Sequence, residues 1–131
     1  MQNRQLQLTL LKDEFAICSL ETAAAIPDWA VAASPCLITR TAKELTIVCP
    51  QHITPAGIPG ERNWRCFRID GSFDLNQVGV ISSIATPLAR AEISIFVIST
   101  YDTDYFLVKS QFLEAAAAAL AETGHKITRQ T

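Results

Sequence analysis

The sequence predicts an α+β fold made of two ferredoxin-like modules of order βαββαβ in tandem, the first of them degenerate. Three observations point there. The second half of the chain alternates runs of strand composition with helical stretches, in the order strand, helix, strand, strand, helix, strand. A hairpin-like stretch at Leu37 to Val48 recurs at Val97 to Val108. The 131 residues are 49% hydrophobic and only 18% charged, so one ordinary core leaves apolar surface over. That excess implies a further covered surface, which a subunit interface would supply.

Trp64 to Ile69 has the composition of a strand, ended by the turn formers Asp70-Gly71-Ser72-Phe73-Asp74. From Gln77 to Ala91 the residues Val80, Ile81, Ile84, Leu88 and Ala91 form the stripe of an amphipathic helix, and Pro87 should kink or tighten it. Ile93 to Thr100 and Asp104 to Lys109 are β-branched and aromatic runs, joined by the hairpin-length Tyr101-Asp102-Thr103. Ile95 to Ile98 is apolar without alternation, which predicts a strand covered on both faces. Ser110 is placed to cap the next helix, whose Phe112, Leu113, Ala116, Ala117 and Leu120 face inward until Gly124 stops it. His125 to Thr128 closes the module as a strand. Short right-handed crossovers turn this order into an antiparallel sheet with both helices on one face.

Leu37 to Val48 lies without gaps over Val97 to Val108, hairpin on hairpin, so that Leu37 matches Val97 and Arg40 matches Thr100. The same spacing sets Leu6 to Leu10 against the first strand of the second module, but Phe15 to Leu20 reads as a strand where that module starts its helix. The first module is therefore a degenerate copy, with helical content confined to turns around Pro27-Asp28-Trp29-Ala30 and Gln51 to Pro55. Pro50, Pro55, Gly57, Pro59 and Gly60 concentrate chain breakers and mark a linker. The boundary is placed near Gly60, giving modules 1–60 and 61–131.

Several function classes drop out. Eleven Lys and Arg against thirteen Asp and Glu, a net charge of -2 without a basic block, exclude the footprint of a nucleic-acid binder. No apolar run approaches the ~20 residues that span a bilayer, and the N-terminus lacks that of a signal peptide, so a cytoplasmic protein without a membrane partner is expected. Cys18, Cys36, Cys49 and Cys66 form no C-x-x-C pair and sit in apolar runs, as reduced, buried thiols do. A zinc site would have only the scattered His52 and His125 to add, so no metal is expected. Asp70-x-Ser72-x-Asp74-x-Asn76 imitates a calcium loop, but Leu75 stands where such a loop needs Gly and Ile81 where it needs Glu. Nucleophile elbow, P-loop and dinucleotide fingerprint are all missing, which predicts a protein that is not an enzyme and uses no cofactor. His52 and His125 read as solvated or hydrogen-bonded residues beside turns, and Trp29 and Trp64 as core or interface residues.

Two segments carry recognition chemistry. In Leu75-Asn76-Gln77-Val78-Gly79-Val80 a strand turns into a helix, and Gly79 in the first turn lets an anion such as an α-carboxylate meet unpaired N–H groups and the positive end of the helix dipole. The alternative is that Gly79 merely lets helix and sheet pack closely. Ser94-Ile95 and Ser99-Thr100-Tyr101-Asp102-Thr103-Asp104 are polar and acidic for a core hairpin, so a cation is expected nearby, with Asp104 its partner. The alternative there is a solvated turn.

Asn76-Gln77-Val78-Gly79-Val80-Ile81, Ala85-Thr86-Pro87-Leu88-Ala89 and the run from Ile93 to Val108 resemble an ACT domain, nearest the branch of bacterial tandem-ACT proteins related to the cytosolic arginine sensors of animals. Thr39-Arg40-Thr41 and Ile47-Val48-Cys49-Pro50 resemble the first module of that branch. The resemblance implies a small ligand, usually an amino acid, held where two modules meet, with occupancy passed to a partner protein. It implies Ser94 and Ile95 at the ligand's α-amino and α-carboxylate ends, Gln77, Val78, Gly79 and Val80 as the covering loop, and Thr100 and Asp104 at the ligand's side chain. Gln77 stands where the arginine-sensing members carry an acidic residue, so the resemblance implies an amino acid without naming arginine. The expectation is a non-catalytic regulatory protein that binds an amino acid as a homodimer or larger assembly and acts on an unidentified partner. Its competitor is an adaptor whose ACT modules only mediate assembly.

Overall fold

The computed structural model describes residues 5–71 and 78–131. Apolar residues alternate from Leu6 to Leu10 and resume at Phe15, and a single 14-residue strand, β1 (Gln7–Leu20), runs through both stretches instead of the two strands expected. Lys12, Asp13 and Glu14 do not break it, because their side chains stand exposed or half-exposed while pairing continues on either side. The remaining strands are β2 (Leu37–Arg40), β3 (Leu45–Pro50), β4 (Gly60–Ile69), β5 (Phe96–Ser99), β6 (Asp104–Lys109) and β7 (Lys126–Arg129). The helices are α1 (Val80–Arg90) and α2 (Leu113–Glu122).

The chain divides into two compact units, Met1–Lys12 with Arg65–Thr131, and Asp13–Trp64. Both β1 and β4 pass from one unit into the other, so the units differ from the contiguous modules 1–60 and 61–131. Gly60 is not a linker residue but the first residue of β4. Its φ is +140°, and a Cβ there would lie 2.1 Å from the Ile17 carbonyl oxygen, so only glycine permits this approach to β1.

In the smaller unit β3 lies between β2 and β1, with Cys18 opposite Ile47 and Leu37 opposite Val48. Helical structure among its described residues is confined to 3₁₀ turns at Asp28–Val31 and Gln51–Ile53, as the breakers implied. In the larger unit β6 lies between β4 and β5, and β1 between β4 and β7. The closing strand β7 therefore pairs parallel with β1, Leu8 opposite Ile127. Leu6, Leu8 and Leu10 supply the reason, since they extend the core formed by Phe67, Phe106 and the inward faces of α1 and α2. Phe67 and Phe106 stack with centroids 4.8 Å apart.

The two hairpins are true counterparts, but one position away from the gapless match. Arg40 pairs with Leu45 as Ser99, not Thr100, pairs with Asp104. Thr41 and Thr100 close the two turns alike: each N–H donates to the carbonyl of the residue three on, and each hydroxyl accepts that residue's N–H. The 3₁₀ turn Gln51–Ile53 likewise corresponds to Ser110–Phe112. Gapless matching of apolar runs misses this because a slip of one position keeps the composition while exchanging the faces.

Both helices end in the same way. At the end of α1, Glu92 N–H bonds the Ala89 carbonyl and Ile93 N–H bonds that of Leu88, with Glu92 left-handed at φ 60°. At the end of α2, Gly124 and His125 repeat this on Ala121 and Leu120. Ser110 does not cap α2: the preceding 3₁₀ turn leads straight into the helix, with Phe112 at the N-cap and no side-chain cap bond. Phe112 is 39% exposed, so it is not part of the inward face. Nor is β5 covered on both faces, since it is an edge strand whose Val97 is 38% exposed.

Pro87 lacks the N–H that would bond the Ser83 carbonyl, and the imidazole of His125 takes its place at 2.9 Å through Nε2. The other ring nitrogen, Nδ1, accepts the N–H of Leu6 at 3.0 Å. His125 is 4% exposed and so bridges the start of β1 to α1 from inside the molecule.

Replacing His125 with Ala should destabilise the protein by about 2–4 kcal/mol in denaturant unfolding, since a buried donor and a buried acceptor lose their partner together. In a Pro87→Ala background the loss should shrink by about 1 kcal/mol, because residue 87 regains the N–H that Ser83 needs. Glu92→Gly should raise stability by roughly 0.5–1 kcal/mol, since glycine adopts the left-handed position without steric cost.

Candidate functional site

Gln77 lies outside the described residues. Gly79 is the N-cap of α1, left-handed at φ 83°, and brings no side chain to the N–H groups of the first turn. Its carbonyl accepts the Ser83 N–H at 3.1 Å and the Ser82 hydroxyl at 3.3 Å. Among the described residues, no side chain therefore caps the donors with which the helix begins. Val78 is 76% exposed beside it. Val80, expected in a covering loop, is 5% exposed with its side chain in the core, so only its backbone can face a ligand.

Ile95 is also packed against the core, while Ser94 is exposed. Thr100 is exposed, and its hydroxyl is occupied in the turn, donating to the Thr103 carbonyl at 3.1 Å and accepting the Thr103 N–H at 3.2 Å. Asp104 is half-buried opposite Ser99, and its carboxylate has no hydrogen bond or ion pair among the described residues.

These residues fall into two groups. Phe67, near the end of β4, stacks on Phe106, near the start of β6, so the β5–β6 turn lies at the end of β4 from which the chain leaves towards α1. Thr100 and Asp104 belong to that end. Ser94 and Ile95 follow the other end of α1 and precede β5. At ~3.3 Å per strand residue, Ile95 is about 13 Å from the Ser99–Asp104 pair along β5. One copy of the chain thus does not bring all of them onto one small molecule.

No cation pairs with Asp104 among the described residues; Arg68 on β4, which sequence reasoning did not single out, is paired with Asp70 instead. Its Nε donates to Asp70 Oδ1 at 2.8 Å, and the Thr9 hydroxyl donates to Asp70 Oδ2 at 2.6 Å. Arg68 also opposes the rise of the Tyr105 phenol pKa, which burial causes first and Cys66 and Asp102 strengthen. The available signal was spacing: Arg68 near the end of β4 lies two residues before Asp70, within reach of its carboxylate.

All four cysteines are free, and three are buried as expected; Cys36 is only half-buried. Cys18 faces Ile47, so Cys49 is its diagonal neighbour on the same face, and Cys49 Sγ lies 3.3 Å from the Thr54 hydroxyl. The hydrogen bond between the thiols lowers the pKa of Cys49 and raises that of Cys18, where burial adds to the rise. Burial pushes the Cys66 thiol up to about 12. Among the described residues no group of three His, Cys, Asp or Glu is placed to hold a metal ion. No helix among them is long and apolar enough to cross a membrane.

Known proteins share this architecture. Residues 60–122 match the ACT domain model, and residues 13–57 match a second model described as an N-terminal domain. A crystal structure of an Agobacterium tumefaciens protein from a structural genomics consortium is 36% identical, covering 98% of this chain and 96% of that one, with a TM-score of 0.91. The chain belongs to that protein's family. The ACT match begins at the first residue of β4 and ends at the last residue of α2, so it leaves out β7 and the N-terminal strand that pairs with it. A Vibrio cholerae protein of unknown function, described as a possible transport protein, is 24% identical over 92% of this chain and 91% of that one, with a TM-score of 0.74. The regulatory subunit of aspartate kinase from Thermus flavus is 14% identical over 92% of this chain and 99% of that one, with a TM-score of 0.61. At these identities the last two show a shared fold. No curated protein matches the sequence.

Cys66 lends the fold a pH dependence of defined sign. Its thiol ionises near 9.0 when unfolded and at about 12 when folded, so between those values the folded state holds the extra proton and stability falls as pH rises. Unfolding free energies measured across this window should fall less steeply in Cys66→Ala, by at most ~1.4 kcal/mol per pH unit.

Proposed function

We propose that the chain is a non-catalytic regulatory protein that binds an amino acid between two of its copies. The observation that carries this reading is the placement of the two groups at opposite ends of β5. That strand is an apolar edge, and an exposed apolar edge favours pairing with another strand. Two copies joined antiparallel along β5 by a two-fold axis set the start of one strand beside the end of the other. Ser94 and Ile95 of one copy then meet Thr100, Asp104 and the start of α1 of the second, and the separation within one chain becomes a proximity between chains.

In such a pocket the carboxylate takes the N–H groups of the first turn of α1, and the ammonium takes the Ser94 hydroxyl and neighbouring carbonyls. Asp104, whose carboxylate has no partner among the described residues, selects a ligand side chain that carries a donor or a positive charge. Gln77 belongs to the covering segment in this scheme. The ACT match over 60–122 and the aspartate kinase regulatory subunit among the structural neighbours support a ligand-responsive role. In the same reading the two units are ACT-like modules, the first retaining the hairpin and the following 3₁₀ turn but no long helix. Ligand shifts the balance between free and paired copies only by binding the pair more tightly, and that difference is what a partner protein would sense.

Calorimetry against the standard amino acids, paired with sedimentation, tests the reading. Saturable binding of at least one amino acid at millimolar concentration or below, lost in Asp104→Ala, is expected. Val97→Lys on the β5 edge should yield a monomer that no longer binds. An assembly that is intact and unresponsive to every amino acid would leave the adaptor role in its place.

A further inference from the structure

A groove of about 310 Å³ lies between the last turns of α1 and α2, lined by Pro87, Arg90, Ala91, Ala119, Glu122 and Thr123. None of the recognition residues at either end of β5 lines it. Its floor is apolar: Pro87 is buried, and Ala119 packs against the core. Its flanks carry opposite charges, the Arg90 guanidinium and the Glu122 carboxylate, both exposed and neither engaged in an ion pair or hydrogen bond among the described residues.

The helix ends add a polarity of their own. Because the shared end motif occupies the carbonyls of Leu88, Ala89, Leu120 and Ala121, the carbonyls of Arg90 and Glu122 remain without an N–H partner among the described residues. Two helix carboxyl ends with open carbonyls, next to a carboxylate, favour an ammonium group, and the guanidinium opposite favours a carboxylate. The apolar floor between them suits a short aliphatic body.

We infer that the groove between Arg90 and Glu122 is a second binding site, selective for a zwitterion with an aliphatic side chain. It places the ligand's carboxylate on Arg90, its ammonium on Glu122 and the adjoining carbonyls, and its side chain on Pro87, Ala91 and Ala119. It differs in selectivity from the pocket at the β5 edge, where Asp104 asks for a donor or a charge on the side chain.

L-leucine titrated into the isotopically labelled full chain at millimolar concentration is the test, read by amide shifts. Saturable shifts at Arg90, Ala91, Ala119 and Glu122 are expected in the wild type and in Asp104→Ala. Arg90→Ala and Glu122→Ala should each weaken them ~10-fold or more, and the double exchange Arg90→Glu with Glu122→Arg should restore binding with the ligand reversed. Leucine shifts that survive both single substitutions unchanged would overturn the inference, as would their complete absence from these residues in the wild type. Because Asp104→Ala leaves this groove intact, failure here and failure of the β5-edge pocket are separate results.

Discussion

The larger unit depends on one imidazole. Pro87 sits inside α1, where it deprives the Ser83 carbonyl of its helical partner, and a helix with a buried orphan acceptor should not persist. His125 supplies the missing donor from the end of α2 and, with its second nitrogen, holds the N–H of Leu6. One ring therefore fixes the tautomer, the position of α1 and the entry of the N-terminal strand together. Everything the start of α1 presents to a ligand rests on that anchorage, since Ser83 lies one helical turn beyond Gly79 and bonds its carbonyl.

The N-terminal strand gives the fold its second constraint. By pairing with β7 on one side and β4 on the other, β1 makes a unit from residues at both ends of the chain, while its later half serves the smaller unit. The ACT match covers only the span from β4 to α2, yet that span does not fold as an island. Its sheet continues into β1, and Leu6, Leu8 and Leu10 complete its core. Truncated versions that begin at residue 60 would expose that core.

For function, the decisive feature is the separation of recognition groups along β5. The edge strand β5, Phe96-Val97-Ile98-Ser99, carries no charged side chain and no proline that would discourage pairing. Its two ends carry complementary chemistry, a hydroxyl with backbone groups at one and a carboxylate at the other. In the proposed pairing of two copies these ends would be reunited, and ligand binding would then be linked to assembly. The helix-side groove differs in chemistry, with a guanidinium and a carboxylate on its two flanks.

Much of this was legible in the sequence. The helical stripe of Val80, Ile84 and Leu88 follows from local periodicity, and the strand composition of β4 and β6 and the breaker-rich turns of the smaller unit from local residue preferences. Other features were settled by tertiary structure, because they depend on residues far apart in the chain. That β7 joins β1, that Gly60 presses on Ile17, which two distant groups the hydrogen-bonded His125 joins, and that Arg40 corresponds to Ser99 are facts of pairing and packing. Local pattern names which face of an element is apolar; only packing decides which distant face it meets.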